Sequence, residues 1–267
     1  MKTPLSYYGG KQQLAKLILG LIPEHRLYCE PFLGGAAIFF AKEPSKVEVI
    51  NDTNGEIINF YEVLKRDFTA LEKEVSISLH SRKLHTHAEV IYKNPELFDR
   101  IKRAWAVWML ANSSFGCMLD GGFGYDKVAG GTTKKLANKR ANFTENYAIR
   151  LQNAQIECCD ALKIIRSRDS ADAFFYCDPP YVGANQGHYD GYSQDDFDGL
   201  LSLLEGIKGR FLLSSFRNKS LLEHTRRNGW HSFEVKMYCS MTNRSAGKRD
   251  KVEVFTANYP IKAPDKC

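Results

Sequence analysis

The sequence predicts an α/β fold: a mostly parallel sheet with helices on both faces, carrying a mainly helical insertion. Three observations predict it. Short β-rich runs alternate with helical periodicity at both ends of the chain. The stretch 66–145 breaks that alternation, and several β-rich runs end at a carboxylate or a glycine turn.

The elements follow in order. Leu27 to Cys29 is a short apolar run, and Ala37 to Ala41 a helical one. Lys46 to Ile50 alternates and runs into Asn51-Asp52, as a strand ending at an acid does. Glu56 to Lys65 places Ile57, Ile58, Tyr61 and Leu64 on one helical face. Ile101 to Ala111 is strongly apolar and aromatic, and a Gly-rich loop follows from Asn112 through Gly131. A loop that long in a compact domain is expected to be functional or disordered. Ile156 to Cys159, Ala173 to Cys177, Arg210 to Ser214 and Val252 to Thr256 are β-rich; Asp195 to Leu204 and Ser220 to Asn228 are helical, the first opened by a Ser-x-x-Asp cap at Ser193. The expected division is a catalytic α/β domain over 1–65 with 146–267, and an inserted recognition domain over 66–145.

Composition narrows the class. At 267 residues, 43% hydrophobic and 25% charged, the chain has the make-up of an ordinary globular protein. No uncharged apolar run approaches the roughly 20 residues of a membrane helix, and the start lacks a signal-peptide core, so the expectation is no membrane partner and a cytoplasmic location. The seven cysteines form no CxxC pair, and His85-Thr86-His87 has no cysteines at finger spacing, so no metal site is expected. Formal net charge is +6, and residues 79–150 hold 12 Lys and Arg against 6 Asp and Glu. The excess therefore lies in the middle, the footprint expected of phosphate contacts; a solvated basic face is the alternative. Arg103, Lys127, Lys134, Lys135, Lys139 and Arg140 are the expected phosphate contacts.

Phe174-Phe175-Tyr176-Cys177-Asp178-Pro179-Pro180-Tyr181 carries the sharpest chemistry. An apolar strand ends in an acid, two prolines and an aromatic at the sheet edge where α/β ligands bind. Methylation of an exocyclic amine needs acceptors for two hydrogens, so that the nitrogen lone pair turns to the methyl donor. A carboxylate and a proline-stiffened carbonyl supply them, and Tyr181 offers a face for a flipped base. Glu30-Pro31-Phe32-Leu33-Gly34-Gly35-Ala36-Ala37 lets backbone approach a ligand closely. Asp52, after the next strand, stands where a carboxylate accepts from ribose hydroxyls, and Asp160 where a side chain meets an adenine ring. Tyr7-Tyr8-Gly9-Gly10-Lys11 lacks the GxxxxGK spacing of a phosphate loop; its lysine suits the carboxylate of an amino-acid-like ligand.

Together these segments resemble the adenine-specific DNA methyltransferases of the Dam-like family, whose recognition domain lies between the cofactor and catalytic motifs. The resemblance implies a Rossmann-like sheet, S-adenosylmethionine as cofactor, double-stranded DNA as partner and a bacterial or phage-encoded enzyme with a possible cognate restriction enzyme. It implies cofactor contacts at Tyr7, Gly10, Lys11, Pro31, Phe32, Gly34, Gly35, Asp52, Asp160 and Asp178, and catalysis at Asp178, Pro179, Pro180 and Tyr181. Two departures stand out: Ala36 replaces the loop's usual last glycine, and Tyr7 replaces the tryptophan of Dam. Cytosine ring-carbon methylation needs a nucleophilic thiolate, usually in a Pro-Cys pair, and none occurs. RNA or cytosine-N4 amine methylation, and a catalytically silent DNA-binding relative, are the alternatives.

Overall fold

A computed structural model describes residues 1–183, 191–237 and 251–262. Among them seven strands form one sheet, in the order β3-β2-β1-β4-β5-β7-β6. The strands are β1 (Leu27–Glu30), β2 (Val47–Asn51), β3 (Ala154–Glu157), β4 (Ala173–Cys177), β5 (Arg210–Ser215), β6 (His231–Met237) and β7 (Lys251–Ala257). β1 to β5 run parallel, and β7 is antiparallel to both β5 and β6. The strand order reverses between β1 and β4, which pair Cys29 with Phe175. A crevice outside the carboxyl ends of the strands at such a switch point is where open α/β sheets bind ligands.

The helices are α1 (Ala15–Leu19), α2 (Ala37–Ala41), α3 (Gly55–Arg66), α4 (Phe68–Ser76), α5 (Arg82–Lys93), α6 (Arg100–Ser113), α7 (Gly131–Ala141), α8 (Asn146–Leu151), α9 (Ala161–Arg168), α10 (Gln194–Glu205) and α11 (Lys219–Asn228). Side chains that bond the orphan amides set several starts. Asn54 accepts from Glu56 and Ile57 before α3, Asp99 from Ile101 and Lys102 before α6, and Ser193 with Asp196 closes a capping box on α10. None of the described helices is long and apolar enough to cross a membrane.

Successive strand residues point to opposite faces, so each strand feeds two cores. Tyr28, Phe174, Tyr176 and Leu212 join α2, α3 and α6 on one face, while Cys29, Phe175, Phe211 and Leu213 meet α9, α10 and Leu221 of α11 on the other. In α6 every residue from Ala104 to Ser113 is buried. Helices α3, α4, α5 and α7 surround it, which explains a helix apolar on all sides. The helices between 66 and 145 share the core of the α3 face rather than enclosing one of their own.

Three sequence expectations differ from what is observed. Strand β3 begins at Ala154 and ends at Glu157, two residues ahead of the expected run. Cys159 has left the ladder because its amide donates to the Asn51 side chain at 3.0 Å. Strand β6, at the edge of the sheet, was not among the expected runs. The helical middle is several short helices, broken by caps at Ser81 and Asp99.

A buried ionic cluster ties three elements. Glu48 on β2, 3% exposed, accepts from Lys42 Nζ at 2.6 Å and from Arg150 Nη2 at 2.8 Å. Arg150 also donates to the Phe39 carbonyl at 2.8 Å and lies over the Phe39 ring. Removing the shared anion leaves two buried cations uncompensated. Glu48→Ala is therefore expected to lose about 3–5 kcal/mol of stability, read as a lower urea midpoint with an unchanged m-value.

Candidate active site

Three segments meet at the switch point. The carboxyl end of β1 leads into the Gly34-Gly35 loop, the carboxyl end of β4 leads into Asp178, and residues 7–11 pass beside both. One pocket is lined by Tyr7 to Lys11, Phe32 to Ile38, Glu30, Tyr176 and Asp178.

The loop after β1 is shaped by its small residues. Gly34 takes φ +47 and Ala36 φ +53, both left-handed. That conformation costs a non-glycine residue roughly 1–2 kcal/mol, so the alanine replacing the family's usual glycine is a local strain rather than an obstruction. A Cβ on Gly35 would lie 2.6 Å from the Tyr7 Cβ, so only glycine lets the two segments touch. The Gly34 amide donates to Asp52 at 2.8 Å, and the Tyr61 hydroxyl to the Gly34 carbonyl at 3.1 Å. Asn51 staples the neighbouring turns, its amide donating at 2.9 Å to both the Pro31 and Cys159 carbonyls.

At the Asp178 motif, Lys11 Nζ donates to both oxygens of Asp178, at 2.7 and 2.8 Å, and to the Gly9 carbonyl at 3.0 Å. Burial lowers the Lys11 pKa, but Asp178 and Glu253 outweigh it and the net shift is upward. The Tyr181 hydroxyl bonds Asp178 Oδ1 at 3.1 Å and also Glu253. Its ring meets Phe216 edge-on, with centroids 4.5 Å apart.

Several of the expected residues have partners within the fold. Lys11 faces Asp178 and Glu253 inside the protein, where a ligand carboxylate was expected. Asp52 is 5% exposed and bonded to the Gly34 and Asn54 amides, bracing the loop. Asp160 is exposed, and its carboxylate caps α9 through the Lys163 amide at 2.9 Å. Phe32 is half-buried beside Tyr192, the rings edge-on with centroids 6.1 Å apart. Glu30 enters the pocket as a titratable group in its own right, and its signal was only its place before Pro31. Burial raises its pKa to about 8, against a bond from Tyr28. Glu253 lay outside every motif, and Tyr176 entered only as a strand residue ahead of Asp178.

The basic candidates divide. Lys127, Lys134 and Lys135 are exposed. Arg103 instead forms a two-bond pair with Glu56, Lys139 donates to the Thr3 carbonyl at 2.7 Å, and Arg140 donates to the Ser78 carbonyl at 2.8 Å. Burial, then Lys135, lowers the Lys139 pKa to about 8. Each of these three closes a contact between segments of the fold, a use that counting charge along the chain cannot distinguish.

A doubly wound sheet with Asp-Pro-Pro-Tyr at its switch point has the form that the resemblance implied for an amine methyltransferase. Residues 7–237 match the family model of the D12 class N6 adenine-specific DNA methyltransferases, and the chain belongs to that family. It is 26% identical to a type II methyltransferase of Lactococcus lactis subsp. cremoris, covering 94% of this chain and 93% of that protein. It is 27% identical to a DNA adenine methylase of Vibrio cholerae serotype O1 (96% and 95% covered) and 25% identical to one of Escherichia coli K12 (96% and 94%). The protein is thus a DNA adenine methyltransferase using a methyl donor of the S-adenosylmethionine type, and among amine targets the family decides for adenine N6.

Glu30 makes stability depend on pH. The fold keeps its proton up to about 8, while the unfolded chain releases it near the ordinary 4.5. Between those values the folded state binds more protons, so stability falls as pH rises. Glu30→Gln is expected to flatten the fall in urea midpoint between pH 5 and pH 8; an unaltered slope would refute the assignment.

Proposed function

We propose that S-adenosylmethionine lies across Tyr7, Gly10, Lys11 and the Pro31 to Ala36 loop, and that an adenine leaves the duplex to meet Asp178. The carrying observation is the contact of all three motif segments around one pocket whose edge is Asp178. Two features of the pocket fit that cofactor. Gly35 and Tyr7 hold backbone and ring in direct contact, a floor for a flat or narrow ligand. Glu30 and Asp178 put carboxyl oxygens beside it, as acceptors for the polar groups of such a donor. When bound, S-adenosylmethionine supplies an electrophilic methyl on a sulfonium. Asp52 reaches the ribose in this reading, and Asp160 the adenine edge.

The chain's own groups do the rest. The Asp178 carboxylate accepts one hydrogen of the base amine and the Pro179 carbonyl the other, which turns the lone pair outward. A carboxylate has about four acceptor positions, so contacts from Lys11 and Tyr181 leave room for the amine. Pro179 and Pro180 offer no amide hydrogen that would compete for these acceptors. Asp178 is 18% exposed, out of reach of a stacked base, so the adenine must flip, at an unstacking cost of a few kcal/mol. The surplus proton leaves the methylated amine for Asp178 or water, and fixed placement with preorganised charge accounts for most of the acceleration.

Segment 66–145 is the proposed recognition domain, with Lys127, Lys134 and Lys135 toward phosphate. A cognate restriction enzyme remains a candidate partner because one relative is named a type II methyltransferase.

Two outcomes test this. Asp178→Ala is expected to lower tritiated methyl transfer to unmethylated duplex by roughly 10²–10⁴ while DNA binding persists; equal transfer by both proteins sinks the reading. Replacing Lys127, Lys134 and Lys135 by Gln is expected to reduce the slope of log affinity against log salt by about 3. The same slope in both proteins would remove these lysines from the interface.

A further inference from the structure

Glu253 comes from β7, far in sequence from every motif, yet its carboxyl reaches the catalytic edge. It is 7% exposed, and its Oε1 lies 3.4 Å from Lys11 Nζ. The same oxygen is hydrogen-bonded to the Tyr181 hydroxyl, which also lies 3.1 Å from Asp178 Oδ1. A phenol has a single proton and cannot donate to two carboxylates at once. The set of contacts is complete only when one carboxyl carries a proton of its own. Burial, the largest influence on Glu253, raises its pKa against the pull of Lys11, which favours Glu253 as that carboxyl. The Asp178 oxygens then receive hydrogens from Lys11 and from Tyr181, and both donors are held from behind by Glu253.

We propose that Glu253 is a positioning residue for methyl transfer, holding the Tyr181 hydroxyl and the Lys11 ammonium so that the Asp178 carboxylate and the Tyr181 ring keep one orientation toward the base. This rests on the assignment of Asp178 as the acceptor of the adenine amine. Glu253 itself touches neither base nor donor. Its removal leaves Lys11 to Asp178 and the Gly9 carbonyl and takes one anchor from the phenol, displacing the acceptor from its line with the amine. A displaced acceptor slows the chemical step without weakening ground-state binding.

The test measures kcat, both KM values and the melting temperature for the full chain carrying Glu253→Ala, Glu253→Gln, Tyr181→Phe or the Ala–Phe double change, with Asp178→Ala as control. Glu253→Ala is expected to lower kcat roughly 10- to 100-fold, with KM for duplex and for S-adenosylmethionine nearly unchanged. Glu253→Gln, which keeps a donor and an acceptor, is expected to rescue most of that loss. The double variant should fall close to the worse single one, because residues acting through one contact are not additive. Should Glu253→Ala fail to fold, Tyr181→Phe removes the same contact from the other side and must itself lower kcat. The inference is overturned by a wild-type kcat in Glu253→Ala or in Tyr181→Phe, by a loss confined to KM, or by Gln as poor as Ala. Full activity in Asp178→Ala would instead bring down the underlying assignment of the site.

Discussion

The buried ion pair between Lys11 and Asp178 joins two parts of the chain that lie 167 positions apart. Asp178 stands at the end of β4, held there by parallel pairing to β1 and β5. Lys11 arrives from a segment outside the sheet, and its ammonium would be costly to bury without a partner. Once the pair forms, Tyr7 lies against Gly35, Gly9 and Gly10 line the pocket wall, and the proposed cofactor and base sites become one crevice.

The surroundings are arranged around that pair. Asn51 and Asp52 fasten the turns after β1 and β3, so the loop that faces Lys11 has little freedom. Thr3 donates to the Gly35 carbonyl while Lys139 of α7 donates to the Thr3 carbonyl. The N-terminal segment is thereby pinned on one side to the Gly35 loop and on the other to a helix of the proposed recognition segment. Ser6 and Pro4 make further contacts with Asn112 at the end of α6. The proposed methyl-donor and DNA-facing regions therefore share a strap of a few residues, a short physical path for any coupling between the two ligands.

Much of the architecture was legible because local signals and tertiary packing agreed. Ala173–Cys177, Gln194–Glu205 and Gly55–Arg66 lie at or within one residue of where apolar runs, caps and periodicity put them. Boundaries slipped where a side chain took a backbone group out of the ladder, as Asn51 does to Cys159. The edge strand β6 was missed although Phe233 and Val235 alternate with Glu234 and Lys236, a pattern spread over few residues. At the site, the Asp178, Gly34 and Lys11 segments were legible as separate motifs. Their mutual bonds were not, nor was Glu253, since a single acid on an ordinary strand carries no pattern.

By itself the sequence determined the class of chemistry and its order along the chain: a glycine-bearing turn after the first strand, an acid with two prolines after a later one, and a basic middle. These are local properties, because turns, proline backbones and charge density depend on neighbouring residues. Only the tertiary structure decided which charges face each other. It turned Arg103, Lys139 and Arg140 inward to contacts within the fold, and left Lys127, Lys134 and Lys135 in water. It also set Glu253 behind Tyr181 and Lys11 at the catalytic edge. The reason is range: ion pairs and buried hydrogen bonds act over a few ångströms between residues up to hundreds of positions apart, and only the pairing of strands brings those residues within reach.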